Sequence, residues 1–277
     1  MSINTRWRLV AIFCVVFFTQ ACTQETQWEK HMAAGAKAYQ QGQYGDAEKS
    51  LKAALKVAKG FGPEDPRLAT TFNNLAELYR AQGKYEKVEP LYKRSLSIRE
   101  KSLGQEHPDV AISLNNLAGL YHDQGKYAEA EPLYKRSLAI KEKALGAEHP
   151  DMAISLNNLA ELYRAQGKYA EAEPFYKRSL SIWEKALGAE HPDVAISLNN
   201  LGLLYQIQGK YAEAEPFYKR SLTIMEKALG PEHPNVASSL ENYAALLRKT
   251  NRNGEAAKME ARAKAIRAKH TKENPTE

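Results

Sequence analysis

Four histidines stand 42 residues apart, at His107, His149, His191 and His233, and each precedes a proline. Imidazole ligates zinc and related ions, so the row invites a metal reading. Equivalent positions of successive structural units lie too far apart to share one ion, however. The histidines are therefore expected to order the turn at each proline, with no metal site. The basic pairs Lys93/Arg94, Lys135/Arg136, Lys177/Arg178 and Lys219/Arg220 repeat at the same interval. Each lysine follows a glutamate by four residues (Glu89, Glu131, Glu173, Glu215), the favourable helical order, so a neutralised solvent face is expected and no nucleic-acid partner. A third recurring feature is a pair of adjacent asparagines: Asn73/Asn74, Asn115/Asn116, Asn157/Asn158 and Asn199/Asn200, with Asn242 alone in the next copy. Asparagine is a mediocre helix former because its amide competes for backbone hydrogen bonds, so two in succession inside a helix need a reason. One is an inter-helix contact; another is a ladder of amides, each offering a donor and an acceptor to the peptide groups of an extended ligand. No phosphate-binding glycine loop, zinc-protease or nucleophile-elbow motif occurs, and no catalytic residue or cofactor is expected.

The elements that must position these residues follow from the same period. Gly104, Gly146, Gly188 and Gly230 are 42 residues apart, and residues 105–146 and 147–188 agree at 34 of 42 positions. Within one copy, Val110, Leu114, Leu117, Ala118 and Tyr121 have helical spacing after Pro108-Asp109, with Asp109 the expected N-cap. Gln124-Gly125-Lys126 breaks the pattern. A second helix is expected over about 127–145, burying Ala130, Leu133, Tyr134, Ser137, Leu138 and Ile140, with Pro132 near its start and Gly146 ending it. Six copies are expected, near 28–62, 69–104, 111–146, 153–188, 195–230 and 237–269. The first has a degenerate opening helix. In the last, Glu260 and Lys264 replace apolar residues, as suits a cap. Residues 270–277 read as a polar tail.

With 277 residues, a net charge of +6 and two cysteines, the chain is neither a disulfide-stapled scaffold nor a strongly basic nucleic-acid binder. Its N-terminus has Arg6 and Arg8, then an unbroken apolar run from Leu9 to Phe18, too short to span a bilayer. Ala21-Cys22 follows. This layout resembles the signal peptide of bacterial lipoproteins, although Thr19 and Gln20 depart from the usual pattern. The resemblance implies a signal over 1–21, a short linker over 22–27, and acylation of Cys22 as the membrane anchor. An ordinary signal-peptidase site after Ala21 is the rival, giving a soluble periplasmic protein. Thr23 after the cysteine, where inner-membrane retention would need Asp, points to an outer-membrane lipoprotein facing the periplasm.

Leu114, Leu117, Ala118, Tyr121, Gly125, Tyr127, Ala130 and Tyr134 are spaced as in the tetratricopeptide repeat. The 42-residue period and the wording LNNLA…QGKYAEAEPLYKRSL resemble the kinesin-light-chain variant. Glu142 stands where the family usually places a proline. The resemblance implies an all-α, right-handed solenoid of antiparallel helix pairs, whose first helices line a concave groove. Asn74, Asn116, Asn158, Asn200 and Asn242, with Asn73, Asn115, Asn157 and Asn199, would then hold a protein or peptide ligand by its backbone. Selectivity would come from positions that vary between copies: Glu77, Gly119, Glu161, Leu203 and Ala245, then Arg80, His122, Arg164, Gln206 and Arg248. The expected function is a non-catalytic interaction scaffold or adaptor at the cell envelope. The alternative is a self-associating structural component; the sequence leaves the oligomeric state open.

Overall fold

The computed structural model describes residues 23–273; the signal-like segment and Cys22 lie outside the described residues. Among the described residues every regular element is helical. Helix α1 covers 23–40. It is followed by α2 (Tyr44–Ala58), a short 3-10 turn (Lys59–Phe61), α3 (Pro66–Ala81), α4 (Tyr85–Leu103), α5 (Pro108–Asp123) and α6 (Tyr127–Leu145). Then come α7 (Pro150–Ala165), α8 (Tyr169–Leu187), α9 (Pro192–Ile207), α10 (Tyr211–Leu229), α11 (Pro234–Lys249) and α12 (Asn253–Glu273). The odd-numbered helices open each repeat and the even-numbered ones close it. The chain divides into two compact units, one ending at Leu120 and one beginning at Tyr121.

Local chemistry explains the alternation. The closing helices α4, α6, α8 and α10 end at a glycine: Gly146 has φ 87°, a left-handed conformation that glycine adopts without a Cβ clash. The opening helices from α5 onward start two residues earlier than expected. Asp109 is not the cap; its backbone N–H is the donor, 3.1 Å from Nδ1 of His107. His149, His191 and His233 are the N-caps of α7, α9 and α11 by the same contact. An unprotonated imidazole nitrogen does the work usually given to a serine or aspartate oxygen, satisfying one of the helix's free N–H groups. Asp65 takes this place before α3 and accepts from Arg67.

In the first unit α2 packs on α3 and α3 on α4. Residues 23–27, expected as linker, are the first turns of α1 and are docked. Gln24 Nε2 donates to the Val57 carbonyl at 3.2 Å, Arg67 pairs with Glu25 at 3.0 Å, and Trp28 Nε1 donates to Thr71 Oγ1 at 2.9 Å. The expected degenerate helix is thus fully formed. One closing helix in this unit, α4, buries Arg99 against neutral acceptors, Ser113 Oγ at 2.8 Å and the Asp109 carbonyl at 3.1 Å. Burial lowers its pKa from the usual guanidinium value.

In the second unit each helix from α6 to α12 packs on its chain neighbour. Val194, Ala195, Leu198, Ile224, Val236, Ala237 and Leu240 form one buried cluster; Ala214, Tyr218, Tyr243, Ala244 and Leu247 belong to another. Buried Ser179 and Ser221 donate to the carbonyls of Ala153 and Ala195 at 2.8 and 2.7 Å, so the close helix approach leaves no hydroxyl unsatisfied. Helix α12 extends to Glu273, so the expected polar tail is helical as far as that residue.

Within each unit, successive repeats are joined by a polar contact of fixed form. The Glu131–Lys135 pair, 2.6 Å apart, also accepts the hydroxyl of Tyr163 from the next repeat at 3.2 Å. Glu173 receives Lys177 at 2.6 Å and Tyr205 at 2.7 Å; Glu215 receives Lys219 and Tyr243 at 2.8 Å each. The first unit has the same contact at Glu48, Lys52 and Tyr79. The arginines of the basic pairs lie on a neutralised face, as expected: Arg178 reaches Glu142 at 2.7 Å and the Ala147 carbonyl at 3.0 Å, and Arg220 repeats this with Glu184.

Glu215 is the most heavily coordinated of these carboxylates. Lys219 first, then Arg252 and Tyr243, hold its pKa down from 4.5 to about 2. A depressed carboxylate stabilises the fold above its unfolded pKa, and that stability is lost as the pH falls through the folded value. Glu215→Gln is therefore expected to cost about 1 kcal/mol at neutral pH. Its melting temperature should also fall less steeply than the parent's between pH 4.5 and 2. Parallel acid dependence of the two proteins would exclude this role.

Candidate functional site

The asparagines occupy the opening helices at matching registers and are half-buried. Their arrangement departs from a row of independent amides. Asn116 Nδ2 donates to Oδ1 of Asn73, one repeat earlier, at 2.9 Å. Asn200 does the same to Asn157 at 2.8 Å, and Asn242 to Asn199 at 3.0 Å. The second asparagine of one repeat thus bonds to the first of the repeat before it. This is the physical reason for two adjacent asparagines: one gives, the other receives, and opening helices are tied edge to edge. A carboxamide has two N–H donors and an oxygen with two lone pairs. Each cross-repeat bond uses one donor and one lone pair, and the remaining amide groups can address a peptide backbone. Asn115 and Asn158 sit at the same two registers.

Asn74 is the exception. Its bonding partner would stand at position 32, where the chain has Met32, whose sulfur is instead 3.8 Å from the Thr71 hydroxyl. Among the described residues the Asn74 side chain has no hydrogen bond.

The varying positions are largely engaged within their own repeat. Tyr176 donates to Glu161 at 2.6 Å, and the second carboxylate oxygen of Glu161 receives Arg164, with Nε 3.1 Å away. Glu77 receives Tyr92 and lies 4.0 Å from Arg80. Burial, followed by the nearby carboxylate, pushes the Tyr92 and Tyr176 hydroxyls well above the ordinary tyrosine range. Where Leu203 replaces the glutamate, Tyr218 turns to Gln206 at 2.8 Å. His122 packs on Tyr127 with ring centres 5.7 Å apart, and its Nε2 is buried without a partner among the described residues. Arg80 and Arg164 are thus parts of Glu–Arg–Tyr contacts, whereas His122 replaces that set with an aromatic contact.

Ile112, Ile154 and Ile196 recur at the 42-residue interval, each four residues before an Asn116-type position, and stay exposed at 43%, 48% and 46%. Four residues place two side chains on one helix face, so the isoleucines flank the amides. Ile207 is exposed as well, while Leu203 is half-buried.

A carboxamide that bonds to its neighbour is stabilising, and one without a partner is not. Asn74→Ala is expected to leave stability within about 0.5 kcal/mol of the parent. Asn200→Ala should be less stable than Asn74→Ala by about 1 kcal/mol. Denaturant unfolding of the two variants makes the comparison, and equal midpoints would rule out a structural contribution from the cross-repeat bond.

Comparison with known proteins places this geometry among relatives. The family model for the tetratricopeptide repeat matches residues 31–101, 68–143, 109–185, 151–227 and 193–269. A structure from Podosopora anserina, described as a kinesin light chain with nearly identical TPR-like repeats, is 30% identical. It covers 75% of this chain and 98% of its own, with a TM-score of 0.64. BtubC (BKLC) from P. vanneervenii is 24% identical over 90% of this chain and 92% of its own, with a TM-score of 0.66. Pseudomonas aeruginosa pilF is 18% identical over 92% and 95%, with a TM-score of 0.58. These last two share the fold. A search of curated proteins gave no match.

Proposed function

Since this chain belongs to the tetratricopeptide repeat family, we propose that it is a non-catalytic adaptor that holds a protein or extended peptide along the opening helices of its repeats. The observation that carries this reading is the partly used amide ladder beside an exposed isoleucine row. The amides retain donors and acceptors for peptide groups regardless of ligand sequence, and the isoleucines supply apolar contact for side chains. Extended peptides are bound by the same division of labour elsewhere, main-chain hydrogen bonds giving affinity and side-chain contacts giving preference. The titratable groups on this surface suit holding better than reacting. Glu161 is satisfied by Tyr176 and Arg164, and phenols pushed above their ordinary pKa are poor proton donors at neutral pH.

The proposal includes the place of action. The lipoprotein-like pattern that ends at Cys22 supports export and anchoring at the outer membrane, facing the periplasm; a soluble periplasmic form is the alternative. If Cys22 is acylated, fatty-acid labelling of the chain in cells disappears in Cys22→Ser, and labelling that persists in that variant would sink the anchor.

For the binding surface, a photo-crosslinking residue at position 154 should capture a discrete partner in intact cells, and one at Lys177 should not. Combining Asn116→Ala, Asn158→Ala and Asn200→Ala should reduce the captured adduct about tenfold, a loss of about 1.4 kcal/mol of binding. A melting curve of the triple variant verifies its fold. Undiminished capture would remove the ladder from the binding site.

A further inference from the structure

The first repeat differs from the second and fourth at two positions that face each other. In the second repeat the closing-helix Tyr92 fills the space beside the opening helix and donates to Glu77; in the fourth, Tyr176 and Glu161 do the same. The first repeat is one residue shorter, its closing helix starting at Tyr44 where the next starts at Tyr85. Its residues at the corresponding places are Leu51 and Ala36. A tyrosine ring and a glutamate side chain are thus missing from one site, and a pocket of about 280 Å³ opens there. Leu51, Gly35 and Ala36 form its apolar part, Tyr39 is at its wall, and Asn74 and Glu77 are at its polar edge. This is smaller than the roughly 300–1,000 Å³ typical of whole small-molecule sites, and of a size for one large side chain.

We infer that this pocket receives an aromatic side chain from the bound partner, which replaces the ring that Leu51 lacks. The inference rests on the peptide-binding reading and specifies one residue of the ligand. Three features favour an aromatic occupant. The missing group is itself a ring, and the later repeats show that a ring fits between these helices. Tyr39 is 38% exposed and can pack against a flat side chain. The carboxylate of Glu77 lies at the edge, where the positive rim of an aromatic ring is attracted to negative charge. Asn74 adds the matching polar contact. It is the one asparagine of its column seen here to lack a neighbour, since Met32 stands at the acceptor position, and it lines the pocket. Its free carboxamide can bond to the peptide group next to the inserted side chain. The amide ladder ends at Asn74 and the pocket begins there, so a ligand lying along the ladder would place its next side chain in it.

The test uses the whole chain, isotope-labelled, with N-acetylphenylalaninamide, N-acetyltyrosinamide, N-acetylleucinamide and N-acetylglycinamide as probes in NMR titrations. These single-residue probes address the pocket without the ladder. The aromatic pair should give saturable shifts centred on Gly35, Ala36, Tyr39 and Asn74, with the leucine probe weaker and the glycine probe silent. Ala36→Trp should fill the pocket and weaken aromatic binding about tenfold. Ala36→Glu combined with Leu51→Tyr rebuilds the pair of the second and fourth repeats and should do the same, so either variant suffices if the other folds poorly. Asn158→Ala with Asn200→Ala should leave probe binding unchanged, which separates this inference from the ladder. Shifts scattered elsewhere, equal response to leucine and phenylalanine, or binding that survives both filling variants would overturn it. So would pocket shifts in the free chain on changing Phe17 and Phe18 to Ala, which would assign the pocket to the chain's own N-terminus, or shifts that track protein concentration alone, which would assign it to a second copy.

Discussion

A tyrosine hydroxyl reaching from one repeat to a glutamate of the repeat before it is the contact on which the helix stacking rests. Glutamate and lysine four residues apart on an exposed helix stabilise by only a few tenths of a kcal/mol. Here the same carboxylate also accepts a phenol from the next opening helix, as Tyr205 does at Glu173 and Tyr243 at Glu215. The tyrosine ring is packed in the interface while its oxygen emerges at a charged edge. This fixes the rotation of one hairpin on the next, because a hydrogen bond is directional where apolar packing is not. The small residues beneath, such as Ala160 and Ala214, let the helices come close enough for that bond to form.

The asparagine bonds work on the opposite edge of the same interface. With tyrosine–glutamate contacts on one side and carboxamide–carboxamide contacts on the other, each pair of repeats within a unit is held at two separated points. Within a unit the surface is presented at constant spacing, so the proposed binding of an extended chain would need little rearrangement. The amides thus have a structural part, and each bond between neighbours uses only one donor of one carboxamide and one lone pair of the other.

Differences between copies acquire meaning against that regularity. Glu161 and Arg164 form a closed set with Tyr176, whereas Leu203 and Gln206 rearrange the same place and His122 replaces it with an aromatic contact. At the equivalent site of the first repeat, Ala36 and Leu51 leave space instead. Variation at one register thus tunes local contacts without disturbing the hairpins.

The helices, their lengths and their order were legible in the chain because they depend on local chemistry. The 42-residue period, the glycines that end α4, α6, α8 and α10 and the 3.6-residue spacing of Leu114, Leu117 and Tyr121 are properties of near neighbours. Tertiary structure decided what each polar side chain bonds to, because those partners lie 28–43 residues away and no local rule links them. Histidine as an N-cap was hidden by the aspartate two residues on, a better cap by type but already inside the helix. The docking of residues 23–27 was hidden because their partners, Val57 and Arg67, belong to later helices. The asparagine pairs could be recognised as unusual from helix propensity alone. Which amide is bonded and which is left open depended on Met32, a residue whose effect on Asn74 exists only once the two helices lie side by side.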